Sequence, residues 1–472
     1  MNNDRLNDFD EEDRQLVLDF ENTVLRGGMQ FFDVDELEVI IDYYFEVNDM
    51  EPLQRAVEYA EQLYPDSTVV RLRRAHLLIA QQQFEAALKI IKELREKEPD
   101  STDVAYSLGV AYGALGESQK AIDLFLEAAA DGWMLGRVYS NIAEEYYNLR
   151  NYDNAIRYYQ LALDTDTFDT STIYNYYDTC VQAGQLQDAV EYFTSFLGEH
   201  PYSAPAWHCL GSAYYNLGLL ERAVDAYQYA LVIDKTAIDI YIDLATSQEL
   251  LGNAGEAVTT LLRARDHTDH PASIDTAVAA IYSRANNHHT ALLYLRRAAE
   301  SDPGNPEVIA ALAVAYIATD DKSSALSFIK KALRLAPNNP VVLANAAIIY
   351  DAIGNVQAAS DYYERMVSCE DCSEDLCQRY TQFLYNHGQY DQLIDFALES
   401  LELYPAPSSP SFNMPHTFYS TYLVAACFYT NRYNRASRHL PYVDLEQLHA
   451  VCPEIFAHPR LSTLINDCQN NK

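Results

Sequence analysis

The chain has 472 residues, 49% of them hydrophobic and 22% charged, a balance typical of folded rather than disordered chains. Its formal net charge of −36 argues against nucleic acids and anionic membranes as partners. Its eight cysteines are too sparse for a disulfide scaffold, and no stretch is apolar for long enough to predict membrane insertion.

Residues 1–33 predict an acidic N-terminal cap helix and a lead-in segment. Residues 1–50 contain fifteen Asp or Glu and three Arg, and the pattern over residues 10–26 is that of an amphipathic helix. The opening sequence MNNDRLNDFDEEDRQ has acids where a secretory signal has a basic and an apolar stretch. We therefore expect the chain in the cytoplasm, with its cysteines reduced.

Residues 34–407 contain eleven contiguous windows of 34 residues, whose positions we call places 1 to 34. Place 20 is Ala in nine windows and Leu in the other two. Place 8 is mostly small, place 11 is often Tyr, and place 15 is Gly in six windows. The spacing predicts two helices per window, with a turn between them at place 15 and close helix contacts at the small residues.

The phase breaks after residue 407. Residues 408–416 contain Pro410 and Pro415 and predict a loop, either a spacer or a docking loop. Residues 417–450 fit a twelfth unit, and residues 451–472 are expected to cap it. Trp133, at place 32 of its window, is expected to pack between units.

These phased residues resemble the tetratricopeptide repeat, a 34-residue helix–turn–helix unit with the pattern W-x2-L-G-x2-Y, then Ala, Phe, Ala and Pro. The window that begins at residue 204 fits best, with Trp207, Leu210, Gly211, Tyr214, Ala223, Tyr227 and Ala230. The resemblance covers residues 34–407. It implies an all-α, right-handed superhelical solenoid of antiparallel helix pairs, in which the first helices line a concave groove.

In that family the groove commonly binds a peptide or protein segment, and places 2, 5, 9, 12 and 13 would face it here. Between residues 102 and 237 these places hold aromatic and polar side chains, which suit an extended backbone. The alternative is that the tyrosines pack on neighbouring helices and expose only their hydroxyls. The candidate peptide-binding residues are Tyr106, Glu144, Tyr147, Asn148, Tyr174, Asp178, His208, Ser212, Tyr215 and Asn216.

The resemblance implies a non-enzymatic scaffold or adaptor that binds a protein or peptide and needs no cofactor. No phosphate loop, H-E-x-x-H or G-x-S-x-G motif occurs in the sequence. Two alternatives stay open: a sensor whose solenoid tightens around a ligand, and an accessory subunit of an enzyme complex. A compaction measurement with and without ligand separates the sensor from the scaffold.

The candidate metal ligands are Cys369, Cys372 and Cys377, which form a C-x2-C-x4-C pattern. A C-x2-C pair supplies two of the four ligands that zinc requires, but no second pair follows. We therefore expect no metal site, and ordinary cysteines near a turn between units.

Overall fold

The computed structural model describes residues 9, 11–24, 26–28, 30–132, 134–165, 169–404 and 415–470. These residues form helices and turns, with no strand among them, which confirms the predicted all-α class. The chain divides into two compact units, Met1–Asn253 and Ala254–Lys472. Trp133 and most of the loop predicted over 408–416 lie outside the described residues.

The first unit opens with α1 (Glu11–Thr23), which buries Val17 and Phe20. Antiparallel helix pairs follow, and each helix packs on the next along the chain. Their first helices are α2 (Val34–Glu46), α4 (Thr68–Ala80), α6 (Thr102–Ala114), α8 (Leu135–Asn148), α10 (Thr170–Ala183), α12 (Ala204–Asn216) and α14 (Ile238–Leu250). Their second helices are α3 (Met50–Leu63), α5 (Phe84–Lys97), α7 (Ser118–Ala130), α9 (Tyr152–Thr165), α11 (Leu186–Glu199) and α13 (Leu220–Ile233).

The second unit opens with α15 (Ala254–Ala264) and continues with the same helix-pair pattern. Its first helices are α16 (Pro271–Arg284), α18 (Pro306–Ala318), α20 (Pro340–Ala352), α22 (Glu374–Asn386) and α24 (Pro415–Tyr429). Its second helices are α17 (His288–Ser301), α19 (Lys322–Leu335), α21 (Val356–Val367), α23 (Tyr390–Leu403) and the short α25 (Tyr433–His439). The chain ends with α26 (Leu445–Val451) and α27 (Pro459–Asn470).

Local residue chemistry fixes where the first helices begin and end. Ser67, Ser101 and Ser203 each accept a bond from the backbone N–H three residues on, which caps a helix start. Place 15 has positive φ in all eleven windows. Six of these residues are Gly, but Gln82 (φ 60°) and Arg150 (φ 58°) adopt the same left-handed conformation without being Gly. The turn geometry is therefore common to the windows even where the residue is not ideal for it.

The small residues of the repeat lie where the two helices of a pair come closest. The Ala residues at place 20, such as Ala121 and Ala223, are completely buried. At place 8, a Cβ added to Gly211 would lie 2.6 Å from the ring of Tyr227, which occupies place 24 of the same window. Close packing of a large ring over a residue without a side chain thus holds the pair together, as the sequence predicts.

The end of the chain differs in detail from its prediction. Pro415 and His416, expected in the loop, are the first two residues of α24, since proline is tolerated in a first helical turn where its missing N–H is not needed. Helix α24 is buried from His416 to Phe428. Leu448, Ile455 and Leu461 from the following segments join the same core cluster.

None of the described helices is long and apolar enough to cross a membrane.

Candidate functional site

The ten candidate residues lie on four consecutive first helices of the first unit, α6, α8, α10 and α12. None of them is buried. Glu144, Asn148, Asp178 and Asn216 are exposed, and the other six are half-buried. A solvent-accessible face of this kind is what a binding surface requires, and the assignment of these residues to a ligand stays a prediction.

Tyr174, His208 and Asp243 form a chain of hydrogen bonds across α10, α12 and α14. The Tyr174 hydroxyl lies 3.0 Å from His208 Nδ1, and His208 Nε2 lies 2.7 Å from Asp243 Oδ2. With the Nε2 proton donated to the carboxylate, Nδ1 accepts from the tyrosine. Burial raises the pKa of Tyr174 well above its usual range, so its hydroxyl keeps its proton. These side chains therefore join successive helix pairs.

Two more candidates also bond to a neighbouring helix pair. Asn141 Nδ2 donates to the Tyr106 hydroxyl at 2.8 Å, which joins α8 to α6. Asn216 Nδ2 donates to the Tyr177 hydroxyl at 2.7 Å, which joins α12 to α10. Burial raises the pKa of Tyr177 to about 12. Their hydrogen-bonding capacity is thus partly used inside the protein.

Ser212 is bonded within its own helix pair. Its hydroxyl lies 3.2 Å from the hydroxyl of Tyr227 on α13. Tyr227 is the ring that packs over Gly211, so this bond also fixes the position of a core side chain. With the contacts described above, five of the ten candidate residues thus have a hydrogen-bond partner inside the protein.

The other five candidates are different, because within the described part of the chain their side chains make no hydrogen bond and join no ion pair. They are Glu144, Tyr147 and Asn148 on α8, Asp178 on α10 and Tyr215 on α12. The candidate set therefore separates into residues that join helices and residues whose polar groups face solvent.

Three of these five side chains share one neighbourhood. Tyr159 of α9 is 2% exposed, and burial is the main reason that its pKa is raised. The charges of Glu144 and Asp178 and the nearby Tyr147 hydroxyl raise the pKa of Tyr159 further. Asn175 hydrogen-bonds to the Tyr159 hydroxyl and opposes these effects. The two carboxylates thus lie near a common buried phenol at the junction of α8 and α10.

Glu145, which was not among the candidates, brings a third carboxylate to this region. It is 7% exposed, and its Oε2 has no hydrogen-bond partner. Its Oε1 occupies the space beside Gly113 of α6, where an added Cβ would lie 2.2 Å away. The sequence does mark Glu145 as unusual, because place 10 holds an uncharged residue, such as Ala111 or Ala213, in all of the other windows.

The environment of these carboxylates is unusually short of positive charge. Although both side chains are exposed overall, the surrounding protein partly desolvates their carboxyl groups. This desolvation raises the pKa of Glu144, with a further increase from the neighbouring charge of Glu145, and it also raises the pKa of Asp178. Within the described residues, none of the three carboxylates has a Lys, Arg or His nitrogen within ion-pairing distance.

The three candidate metal ligands do not converge on one point. Cys372 Sγ lies 3.5 Å from Cys377 Sγ, but Cys369 Sγ lies 3.2 Å from the carbonyl oxygen of Asn338. Burial raises the pKa of Cys377 to about 12, which favours the thiol over the thiolate that binds metals. In the described segments, no group of three or more His, Cys, Asp or Glu side chains is arranged to hold a metal ion.

Comparisons with known proteins agree on the repeat. Tetratricopeptide repeat models match residues 53–109, 136–168, 181–238 and 283–331. The chain is 22% identical over 279 residues to the TPR repeat-containing protein YpiA of Bacillus subtilis, covering 52% of this chain and 66% of that protein. It is 23% identical over 237 residues to human Superkiller complex protein 3, covering 41% of this chain and 15% of that protein.

Among solved structures, a tetratricopeptide repeat protein from Parabacteroides merdae matches 53% of this chain and 98% of its own length. Its identity to this chain is 14% and the TM-score is 0.41.

The chain covers just under two thirds of the length of YpiA and a small part of the human relative. The repeat-model matches and the repeat-containing relatives show that this chain contains tetratricopeptide repeats, which generally serve as protein-interaction scaffolds.

Proposed function

We propose that the chain is a non-enzymatic scaffold or adaptor that binds an extended protein segment along α8, α10 and α12. The observation that carries the proposal is the separation of the candidate residues into two classes. Tyr174, His208 and Asn216 are bonded between helix pairs and hold the surface in shape. Tyr147 and Tyr215 have no such bonds and lie on the same surface.

This arrangement suits a peptide because the surface is organised before binding. A surface whose helices are already cross-bonded loses less conformational entropy when a ligand binds. Tyrosine rings provide contact area with few rotatable bonds, and the Asn148 amide offers both a donor and an acceptor to a peptide backbone. The bonded residues thus fix the positions from which the unbonded residues reach the ligand.

The chemical class and location of the partner follow from charge and cysteine state. A chain with a net charge of −36 repels phosphate backbones, so the partner is a protein and not a nucleic acid. Seven of the eight cysteines have side chains that the structure describes, and all seven are free thiols, which fits a reducing compartment such as the cytoplasm.

The test is cross-linked affinity capture from the extract of the native cell, with three forms of the full chain. The groove variant carries Tyr147→Ala and Tyr215→Ala. The control variant carries Tyr202→Ala and Tyr229→Ala, which remove two tyrosines that are 84% and 57% exposed outside the groove positions. Circular dichroism establishes first that all three forms are equally folded.

The proposal predicts a protein captured by the wild type and by the control variant but lost from the groove variant. Equal capture by all three forms would refute binding at this surface.

A further inference from the structure

We infer that the segment bound here is cationic and places a Lys or Arg side chain between Glu144 and Asp178. The inference rests on the proposed function and specifies the chemistry of the partner. It commits to a basic protein segment that crosses α8 and α10, with its charged group above Tyr159.

The same groove shows how a first-helix acid is satisfied when a cation is present. Asp42 is at place 9 of its window, and Arg73 at place 6 of the next window bonds to it at 2.9 Å. The guanidinium of Arg73 also bonds to Glu38, one turn earlier on the same helix as Asp42. One arginine thus bridges two acids of the preceding first helix.

Glu144 and Asp178 also occupy place 9, but the internal cation is missing. The residue at place 6 of the next window is Asn175 for Glu144 and Cys209 for Asp178. Neither residue carries a positive charge that could replace Arg73. Glu144 and Asp178 therefore lack the internal arginine that pairs with Asp42, which leaves room for a cation from another chain.

Glu145 provides the independent observation that a donor is needed. A carboxylate that is 93% buried, with one oxygen unpartnered, is costly to the folded state unless a donor reaches it. Its other oxygen, Oε1, lies against Gly113 of α6, which occupies place 12 of the preceding window, so no side chain covers the carboxylate from that side. A guanidinium or ammonium group from the groove would supply the missing donor and the missing charge.

The aromatic residues around the acids favour the same class of ligand. Tyr147 is half-buried beside Glu144 on α8, and its ring centroid lies 5.6 Å from that of Tyr152. The faces of tyrosine rings attract ammonium and guanidinium groups. Within the same unit, the Arg137 guanidinium already lies 6.0 Å from the centroid of the Tyr106 ring. Acids beside half-buried tyrosines thus form a surface matched to a basic segment.

The experiment selects short random peptides displayed on phage against the full chain at physiological ionic strength. Two variants test the site. Glu144→Gln with Asp178→Asn removes the two carboxylates, and Asn175→Arg inserts a cation at the position equivalent to Arg73. The matched control is Asp188→Asn with Glu191→Gln, which removes two exposed acids from the second helix α11.

The expected result is a selected pool enriched in Lys and Arg. The best peptide, synthesised with a fluorescent label, should bind both site variants about tenfold more weakly by anisotropy, and the control variant within about twofold of wild type. A second peptide with its Lys and Arg replaced by Gln should lose affinity for wild type by a similar factor. This peptide comparison does not depend on the folding of any variant.

Two results would overturn the inference, and they are distinguishable. Selected peptides that need Tyr147 and Tyr215 but bind equally well to both site variants would refute a cationic partner while supporting the proposed groove. Peptides weakened equally by the site variants and by the control would show a general attraction to an acidic protein. If no peptide is enriched at all, both the inference and the proposed function are contradicted.

Discussion

Asp275 is the most strongly constrained acid in the second unit, and its removal gives a quantitative test of the fold. Its side chain is completely buried on α16, where Arg265 Nε lies 3.1 Å from Oδ1 and Arg297 Nε lies 2.7 Å from Oδ2. Arg297 belongs to α17, and Arg265 belongs to the single turn of 3-10 helix that follows α15. One carboxylate thus ties three consecutive helical segments together.

The size of the effect follows from the exposure of the partners. Breaking a buried ion pair typically costs about 3–5 kcal/mol, because a charge is left buried and unpaired. The arginine side chains here are 31% and 40% exposed, so both can turn toward water when the acid is gone. We therefore expect Asp275→Ala to cost about 3 kcal/mol, near the lower limit, and Asp275→Asn to cost less.

The assay is hydrogen exchange followed by mass spectrometry, because repeat arrays open locally as well as globally. A loss of about 3 kcal/mol corresponds to roughly a hundredfold faster exchange of the most protected amides in α16 and α17. The control is Asp266→Ala, which removes an exposed acid beside Arg265 and should leave exchange unchanged. Less than about tenfold acceleration in α16, or equal acceleration in α2, would refute the assignment.

Three further substitutions test the repeat and its pH dependence. Arg150→Gly should stabilise the chain by about 1 kcal/mol, because Arg150 is held at φ 58°. Gly211→Ala should destabilise it by about 1–3 kcal/mol, because the new Cβ would overlap the ring of Tyr227. Burial, with Arg73 nearby, lowers the pKa of His76 to about 3, so the folded state resists its protonation. His76→Gln should therefore reduce the stability lost between about pH 7 and pH 5 by about 2 kcal/mol.

Denaturant titration measures all three effects, and each has its own control. Arg157→Gly, within α9, should destabilise the chain by about 1 kcal/mol instead of stabilising it. Gly198→Ala meets no atom within 4 Å and should be neutral or stabilising. For His76 the direction of the pH dependence is the test. Below about pH 6.5 the histidine is protonated in the unfolded chain but not in the folded one, so the wild type loses stability as the pH falls. A His76→Gln variant with the same pH slope as wild type would contradict its burial in the neutral form.

The sequence predicts the helices well because the 34-residue phase repeats many times. Place 15 predicts the turn where it is Gly, but the residue type does not predict the same left-handed turn at Gln82 and Arg150. The buried Ala at place 20 is likewise readable from the sequence, since only a small residue fits that contact. The repetition thus allows the local structure to be predicted from the sequence.

The proposed binding surface can be predicted only in part from the sequence. The register predicts which places face the groove, but it does not show which polar groups bond across helix pairs. The Tyr174–His208 contact depends on the spacing of α10 and α12 and on side-chain rotamers, which the spacing of residues along the chain does not encode. The register does not predict a role for Glu145, because place 10, where Glu145 is buried, is not one of the predicted groove-facing places.

The most direct test of the proposed groove is a photo-cross-linking amino acid placed at Tyr147 in one form of the chain and at Tyr229 in another. Both residues are aromatic and accessible, but Tyr229 lies on the second helix α13. After irradiation in native extract, mass spectrometry identifies the cross-linked peptide. We predict a single basic protein segment cross-linked from Tyr147 and absent from Tyr229. Cross-linking of the same segment from Tyr229 alone, or of nothing from Tyr147, would contradict binding in the groove.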